Sequence, residues 1–223
     1  MENSHIVARF DEDLTKIKTD ILDMGELVLS QLHDAAETLT IFEADKVDTL
    51  IAKDRRINRM HKDMYTRVER VIALRQPVAL DLRQALAPLN LARELERIGD
   101  HAKSTAKRAR KLAAQELGLQ TSPLVFEMSD MVQIMLTDVL VAYTNSDTEL
   151  AAEIRSRDPD VDRLNKAVFK EALKQIKTAP EHAETYILAI LLARNFERAG
   201  DHVVNMARHV HQIATGEDLK ASD

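Results

Sequence analysis

Two segments of the chain carry the same polar string. Glu96, Arg97, Gly99, Asp100 and His101 read ERIGDH, and Glu197, Arg198, Gly200, Asp201 and His202 read ERAGDH. On a helix, residues four apart are neighbours one turn along the same face, so Glu96 meets Asp100 and Glu197 meets Asp201. Two carboxylates placed this way repel unless water solvates them or a cation lies between them. Hard ions such as Mn, Mg or Fe are the natural counter-ions, which makes these four residues candidate metal ligands. The competing reading is a solvated helix face, with the acids paired to Arg93, Lys103 or their equivalents. The E-x-x-x-D-H order differs from the Glu-x-x-His spacing of di-iron bundles, which argues against redox catalysis of that type.

Two of the chain's five glycines, Gly99 and Gly200, stand at equivalent places inside these strings. Each costs a helix roughly 1 kcal/mol relative to alanine, so close approach of another helix or of a ligand is expected there. Asp54, Asn58 and His61, with Asp158, Asp162 and Asn165, repeat a second polar line at helical spacing. That line either faces solvent or faces the acidic strings across a bundle, which makes Asp54, Asn58, Asp158 and Asp162 weaker candidate ligands. His101 and His202 are candidate ligands too, or helix-surface histidines bonded to a neighbour.

The elements that must position these residues follow from the apolar pattern. Leu91, Leu95, Ile98, Ala102, Ala109 and Leu112 share one stripe at about 100° per residue, as do Leu192, Phe196, Ala199, Val203, Met206, Val210 and Ile213. Glu96 and Asp100 point away from that stripe. One and two turns earlier, their side of the helix is apolar, with Leu82, Leu86 and Leu89 matched by Ile187 and Ile190, which predicts that something covers it. Met24, Met60, Met64, Met128, Met131 and Met135 fall at helical spacing and read as core filler.

The match extends well beyond the strings. Leu89 onward aligns with Ile190 onward at an offset of 101, and Asp54 onward aligns with Asp158 onward at 104. Each copy reads as three long helices, expected at 6–42, 45–75 and 79–114, then at 123–145, 147–178 and 181–215. Short connections make consecutive helices antiparallel neighbours. The fold class expected is therefore all-α, with two tandem three-helix bundles related by a pseudo-two-fold, over residues 1–117 and 118–223 and joined near Gly118 to Pro123. Pro88 and Pro159 fall inside helical patterns and predict a kink or restart, with Asp158 as an N-cap before Pro159.

Composition agrees and excludes several functions. Five Gly and five Pro are few for a many-stranded fold, whereas the good helix formers dominate. With no cysteine, a disulfide framework, a thiolate zinc site and a cysteine nucleophile are all excluded. The first residues lack a signal-peptide pattern, and no run reaches the ~18 apolar residues of a membrane span, so a cytoplasmic protein is expected. A net charge of −6 gives no general attraction for nucleic acid, and the basic run Lys103 to Lys111 suits a helix C-terminus. No nucleophile with a base, Gly-rich phosphate loop or H-E-x-x-H is present, so no enzymatic activity is expected.

At its ERIGD and ERAGD strings, and at RQPVALDLR from Arg75 to Arg83, the chain resembles the PhoU family. The resemblance covers all but the termini. It implies two three-helix bundles with one acidic motif on each third helix. It also implies a regulator that contacts the phosphate ABC transporter, through its ATPase, and the membrane sensor histidine kinase, keeping the phosphate-starvation response off when phosphate is plentiful. In some members the acidic motifs hold iron or other metals, so Glu96, Asp100, Glu197 and Asp201 inherit that role as an expectation. Arg83, Arg93, Arg97, Arg194 and Arg198 are the expected partner-facing cations, in a homodimer. The DLR triplet is missing from the second copy, where Ala183 and Glu184 replace Leu82 and Arg83. A carboxylate-rich metal-binding or storage protein, and a purely structural scaffold, remain the alternatives.

Overall fold

A computed structural model describes residues 2–115 and 122–217. All of its regular structure is helical: α1 Glu2–Glu37, α2 Ala44–Arg75, α3 Ala79–Ala113, α4 Pro123–Asn145, α5 Thr148–Thr178 and α6 Ala183–Thr215, with one 3-10 turn at Pro180–His182. The helices start and stop where local chemistry directs. Asp147 caps α5, its carboxylate accepting from the amides of Glu149 and Leu150 at 3.0 and 2.9 Å. Ser122 caps α4, with Pro123 in the first turn, where its missing N–H costs nothing. Gly216 ends α6 in the left-handed conformation, φ 82°, with its amide returned to the Gln212 carbonyl at 2.9 Å.

Three sequence expectations are corrected. The first helix ends at Glu37 and not at residue 42, because Leu39 and Thr40 bond back to Ala36 and Glu37 and tighten the last turn to i→i−3. Neither Pro88 nor Pro159 restarts a helix: α3 and α5 run through them. Asp158 is consequently no N-cap and lies inside α5, with its side chain free for another purpose. The connector between the copies, and the expected boundary at 117/118, fall outside the described residues.

Each copy forms a three-helix unit, α1 to α3 and α4 to α6. The units meet along a broad seam where α3 packs on α6 and α1 on α4. Helices α2 and α5 each touch only their own unit and form the two outer flanks. One continuous apolar core runs through both units, from Ile21, Leu32 and Leu95 in the first to Met128, Leu192 and Phe196 in the second. Met24, Met64, Met128 and Met135 are buried in it, and Met60 and Met131 pack on its edge. Gly25 sits on the seam, where a Cβ would come within 2.6 Å of Leu140, so the missing side chain lets α1 and α4 close together.

Candidate functional site

The acidic strings occupy the middle of α3 and α6, on the flank turned toward α2 and α5. In the first unit, the Lys103 ammonium lies between two carboxylates, 2.6 Å from Asp100 Oδ1 and 2.8 Å from Asp54 Oδ2. Asn58 donates its amide to the same Asp54 oxygen at 3.2 Å. Asp54 is buried, so the polar line of α2 faces the acidic string and not solvent. Burial pulls the Lys103 ammonium down, but its bonds to Asp100 and Asp54 outweigh that and leave it above the ordinary lysine value. Arg97 approaches Glu96 at 3.5 Å and Asp100 at 3.9 Å from the solvent side. The first unit's acids are therefore bridged by cations of the chain itself.

The second unit is built on the same backbone plan with different charges. Asp158, Asp162, Glu197 and Asp201 take the places of Asp54, Asn58, Glu96 and Asp100. Val204, buried at 3% exposure, takes that of Lys103. Burial raises the carboxyls of Asp158, Glu197 and Asp201 above their ordinary values. Asp201 adds to the first two and Asp162 to all three, because the charges repel across the gap between α5 and α6. Arg194 holds one oxygen of Glu197 at 2.7 Å. The other, Oε2, is buried with no hydrogen-bond partner, although Glu197 as a whole is only 8% exposed. An orphaned carboxylate oxygen in such a place costs free energy that a bound cation would recover.

In donor chemistry the second unit fits a hard metal ion: it offers only oxygens, and one of them lacks a partner. The first does not, since Lys103 fills the space between its acids. As the side chains stand, no three His, Asp or Glu residues among those described are grouped tightly enough to hold an ion.

The glycines of the two strings differ as well. At Gly99 a Cβ would lie 3.0 Å from Gln31 Oε1 and 3.2 Å from Ile57 Cδ1, so close helix approach explains it. At Gly200 the nearest atoms, on Val132 and Val161, lie at 3.6 and 3.7 Å, ordinary contact distances, and packing gives no reason for glycine there.

His101 and His202 are not surface residues of single helices. They stack on each other across the seam, ring centroids 5.6 Å apart and planes 29° from parallel. His202 Nδ1 lies 2.7 Å from Oε2 of buried Glu94, whose other oxygen takes Arg93 at 3.0 Å. On the opposite side of the pseudo-axis His101 bonds Asn195, which also donates to Thr105 at 3.0 Å. Of the expected partner-facing cations, Arg83, Arg93, Arg97, Arg194 and Arg198 all reach the surface. Arg93 and Arg194 are also tied to Glu94 and Glu197, and Arg83 lies over Gly216.

The sequence reading held Lys103 as a partner of the acids only in its competing reading, and it missed the roles of Glu94 and Asn195. The signal was present in the repeat itself, since the 101-residue offset sets Lys103 against Val204 and Glu94 against Asn195. Positions that break an internal repeat mark where the two copies have diverged.

Comparisons with known proteins bear on the whole architecture. The family model for the PhoU domain matches twice, over residues 21–109 and 125–210. A phosphate-specific transport system accessory protein PhoU homolog of Caulobacter vibrioides is 34% identical over 215 residues, covering 96% of this chain and 94% of the relative. The homolog of Xylella fastidiosa is 31% identical over 217 residues, covering 97% of this chain and 90% of its own. Among solved structures, PhoU from Pseudomonas aeruginosa superposes with a TM-score of 0.87 at 30% identity, over 93% of this chain and 100% of that one. The phosphate transport system regulatory protein PhoU from Streptococcus pneumoniae also reaches 0.87, at 26% identity, over 95% and 100%. With both domain matches, a duplicated three-helix fold and an ERxGD string on each third helix, this chain belongs to the PhoU family.

Proposed function

We propose that this protein is a non-enzymatic negative regulator of phosphate uptake and of the phosphate-starvation response. It acts in the cytoplasm as an adaptor between the phosphate ABC transporter and the membrane sensor histidine kinase. The observation that carries the reading is the full-length likeness, in sequence and fold, to proteins named as accessory and regulatory components of phosphate transport. No helix among the described residues is long and apolar enough to cross a membrane, so contact with membrane-bound partners falls to surface groups.

The geometry offers such groups at the starts of the third helices. Leu86 is 41% exposed, and Ile187 and Leu191 are 49% and 38% exposed, so these apolar residues stand uncovered in the single chain. Arg83, Arg93 and Arg97 are exposed on the same helix as Leu86, and Arg194 and Arg198 on that of Ile187 and Leu191. Exposed apolar residues and arginines on one helix are suited to protein partners, and a second copy of the chain is one of them.

A hard divalent or iron ion at the second unit's carboxylates is part of the proposal, supported by the mutual repulsion of Asp158, Asp162, Glu197 and Asp201 and by the unpartnered Glu197 oxygen. The test is capture of the purified chain by the transporter ATPase and by the cytoplasmic part of the sensor kinase, with and without Mn²⁺ or Mg²⁺. Binding to either supports the adaptor reading. Failure to bind both under every condition, with tightly held iron, would favour a metal-storage protein instead.

A further inference from the structure

We infer that the cleft where α1, α3, α4 and α6 converge, at the end of the seam that holds Lys18 and Tyr143, is a binding site for a compact organic anion with an apolar body. The site is separate from the acidic strings and independent of the partners named under Proposed function. The cleft encloses about 210 Å³ and draws its lining from both units. Pro88 and Val210 are buried in that lining, Lys18, Tyr143 and Ile213 are half-buried, and Gln84 and Ser146 are exposed. The internal repeat supplies an equivalent place at the other end of the seam. There Leu39, Thr185, Ala189, Ala109 and Leu112 stand for Tyr143, Gln84, Pro88, Val210 and Ile213, and every one of them is buried, at 7% exposure or less. One end of the seam is packed shut, and the other is open.

The open end carries the chemistry of a ligand site. The Lys18 ammonium donates to the Thr144 carbonyl at 2.6 Å and stands 5.9 Å from the centre of the Tyr143 ring, and no carboxylate pairs with it among the described residues. The C-terminus of α4, with roughly half a negative charge, balances only part of that cation. Lys18 therefore keeps both charge and N–H groups for an anion. The Tyr143 hydroxyl has no hydrogen-bond partner among the described residues, and burial pushes it well above the usual tyrosine value, so it stays a donor. Pro88 has no N–H to return to the Gln84 carbonyl, which leaves an acceptor of the same lining without its helical partner; at the closed end Ala189 carries that N–H. Ser146 holds φ at 54°, a conformation that favours glycine, and so keeps a hydroxyl in the lining. Against these polar groups, Leu14, Ile17, Val210 and Ile213 give an aliphatic wall. A cavity of about 150 Å³ accommodates a benzene ring, so this one has room for such a ring with a carboxylate attached. Uncompensated positive charge, free donors and an apolar wall together select an anion with an apolar body over a bare inorganic ion or a neutral hydrocarbon. Bound there, it touches all four helices of the seam and fastens the two units together.

The test titrates the full-length chain with benzoate, benzyl alcohol and inorganic phosphate, read by calorimetry and by the methyl resonances of Leu14, Ile17, Val210 and Ile213. Benzoate is expected to bind with a Kd of about 1 mM, at least about tenfold tighter than either of the others. At about 10 mM it should raise the melting temperature by about 3 °C. Lys18→Met should reduce benzoate to the level of benzyl alcohol. Gln84→Trp, at an exposed helix position where folding is spared, should block the cleft to both. Benzyl alcohol or phosphate binding as tightly as benzoate would overturn the class of ligand. Benzoate binding that survives both substitutions would put its site elsewhere on the chain, and no saturable binding up to about 10 mM would make the cleft a gap in packing; either result overturns the inference.

Discussion

Glu94 of the first unit holds His202 of the second, Oε2 to Nδ1 at 2.7 Å, in a buried part of the seam. Burial pushes the Glu94 carboxyl up, but hydrogen bonds from His202, Arg93 and Asn205 outweigh it and bring it down to about 2. A carboxylate depressed on folding contributes stability that is fully present above its unfolded value, near 4.5, and is lost as pH falls toward 2. Glu94→Gln should therefore cost about 2 kcal/mol at neutral pH, since a buried neutral amide replaces the charge-assisted bonds to His202 and Arg93. It should also flatten the acid limb of the stability curve between those two values. Urea unfolding followed by circular dichroism at a series of pH values measures both.

His101 titrates in the opposite sense. Burial, with the like charges of His202 and Arg198, pulls it down from 6.5 to about 4, against weaker support from Asp100 and Asn195. The folded chain thus prefers the neutral ring, and the unfolded chain takes up the proton first as pH drops. Stability conferred by the neutral ring is complete above about 6.5 and disappears on the way to about 4, a loss of roughly 2–3 kcal/mol. His101→Gln, which cannot protonate, should remove that part of the slope. An unchanged slope would place the titrating group elsewhere.

Neutralising equivalent aspartates should have opposite effects. Asp100→Asn strands Lys103 beside Asp54 and is expected to lower the melting temperature. Asp201→Asn relieves repulsion among Asp158, Asp162 and Glu197 and is expected to raise it when no metal is present. A raised carboxyl favours the folded state as pH falls through its folded value, so the gain from Asp201→Asn should shrink in mild acid. Calorimetry of the two variants at pH 7 and pH 5 tests both signs.

The glycines divide in the same way. Gly200→Ala meets only ordinary contacts at 3.6 and 3.7 Å and should stabilise by about 0.5–1 kcal/mol through helix propensity. Gly25→Ala drives a methyl into Leu140 at 2.6 Å and should cost about 1–3 kcal/mol. Thermal melts of the pair would separate packing from propensity. If Gly200→Ala costs stability instead, the packing around Val132 and Val161 is tighter than ordinary contact and does require glycine.

Helical periodicity made the fold legible because α3 and α6 bury a continuous stripe, from Leu91 to Leu112 and from Leu192 to Val210, which fixes the face of every residue between. The internal offset made the pairing of the two acidic strings legible for the same reason. Periodicity does not say which helix lies against which flank. The burial of Asp54 against Asp100, the stacking of His101 on His202 and the buried state of Glu94 therefore came only with the tertiary arrangement. Pro88 and Pro159 misled in a related way: local preference predicts a break, and packing along the rest of a long helix overrides it.

The seam between α3 and α6 shows what joining the two copies in one chain makes available. Two identical subunits meeting on a two-fold axis must present the same residue from both sides, so an acid at this position would face its counterpart's histidine twice over. Here Glu94 serves His202 while Asn195 serves His101, and the two stacked rings are left with unequal surroundings. Covalent fusion freed each copy to vary alone, and duplicated ancestry became a polar molecule with a distinguishable left and right. A partner that reads one flank has no reason to accept the other.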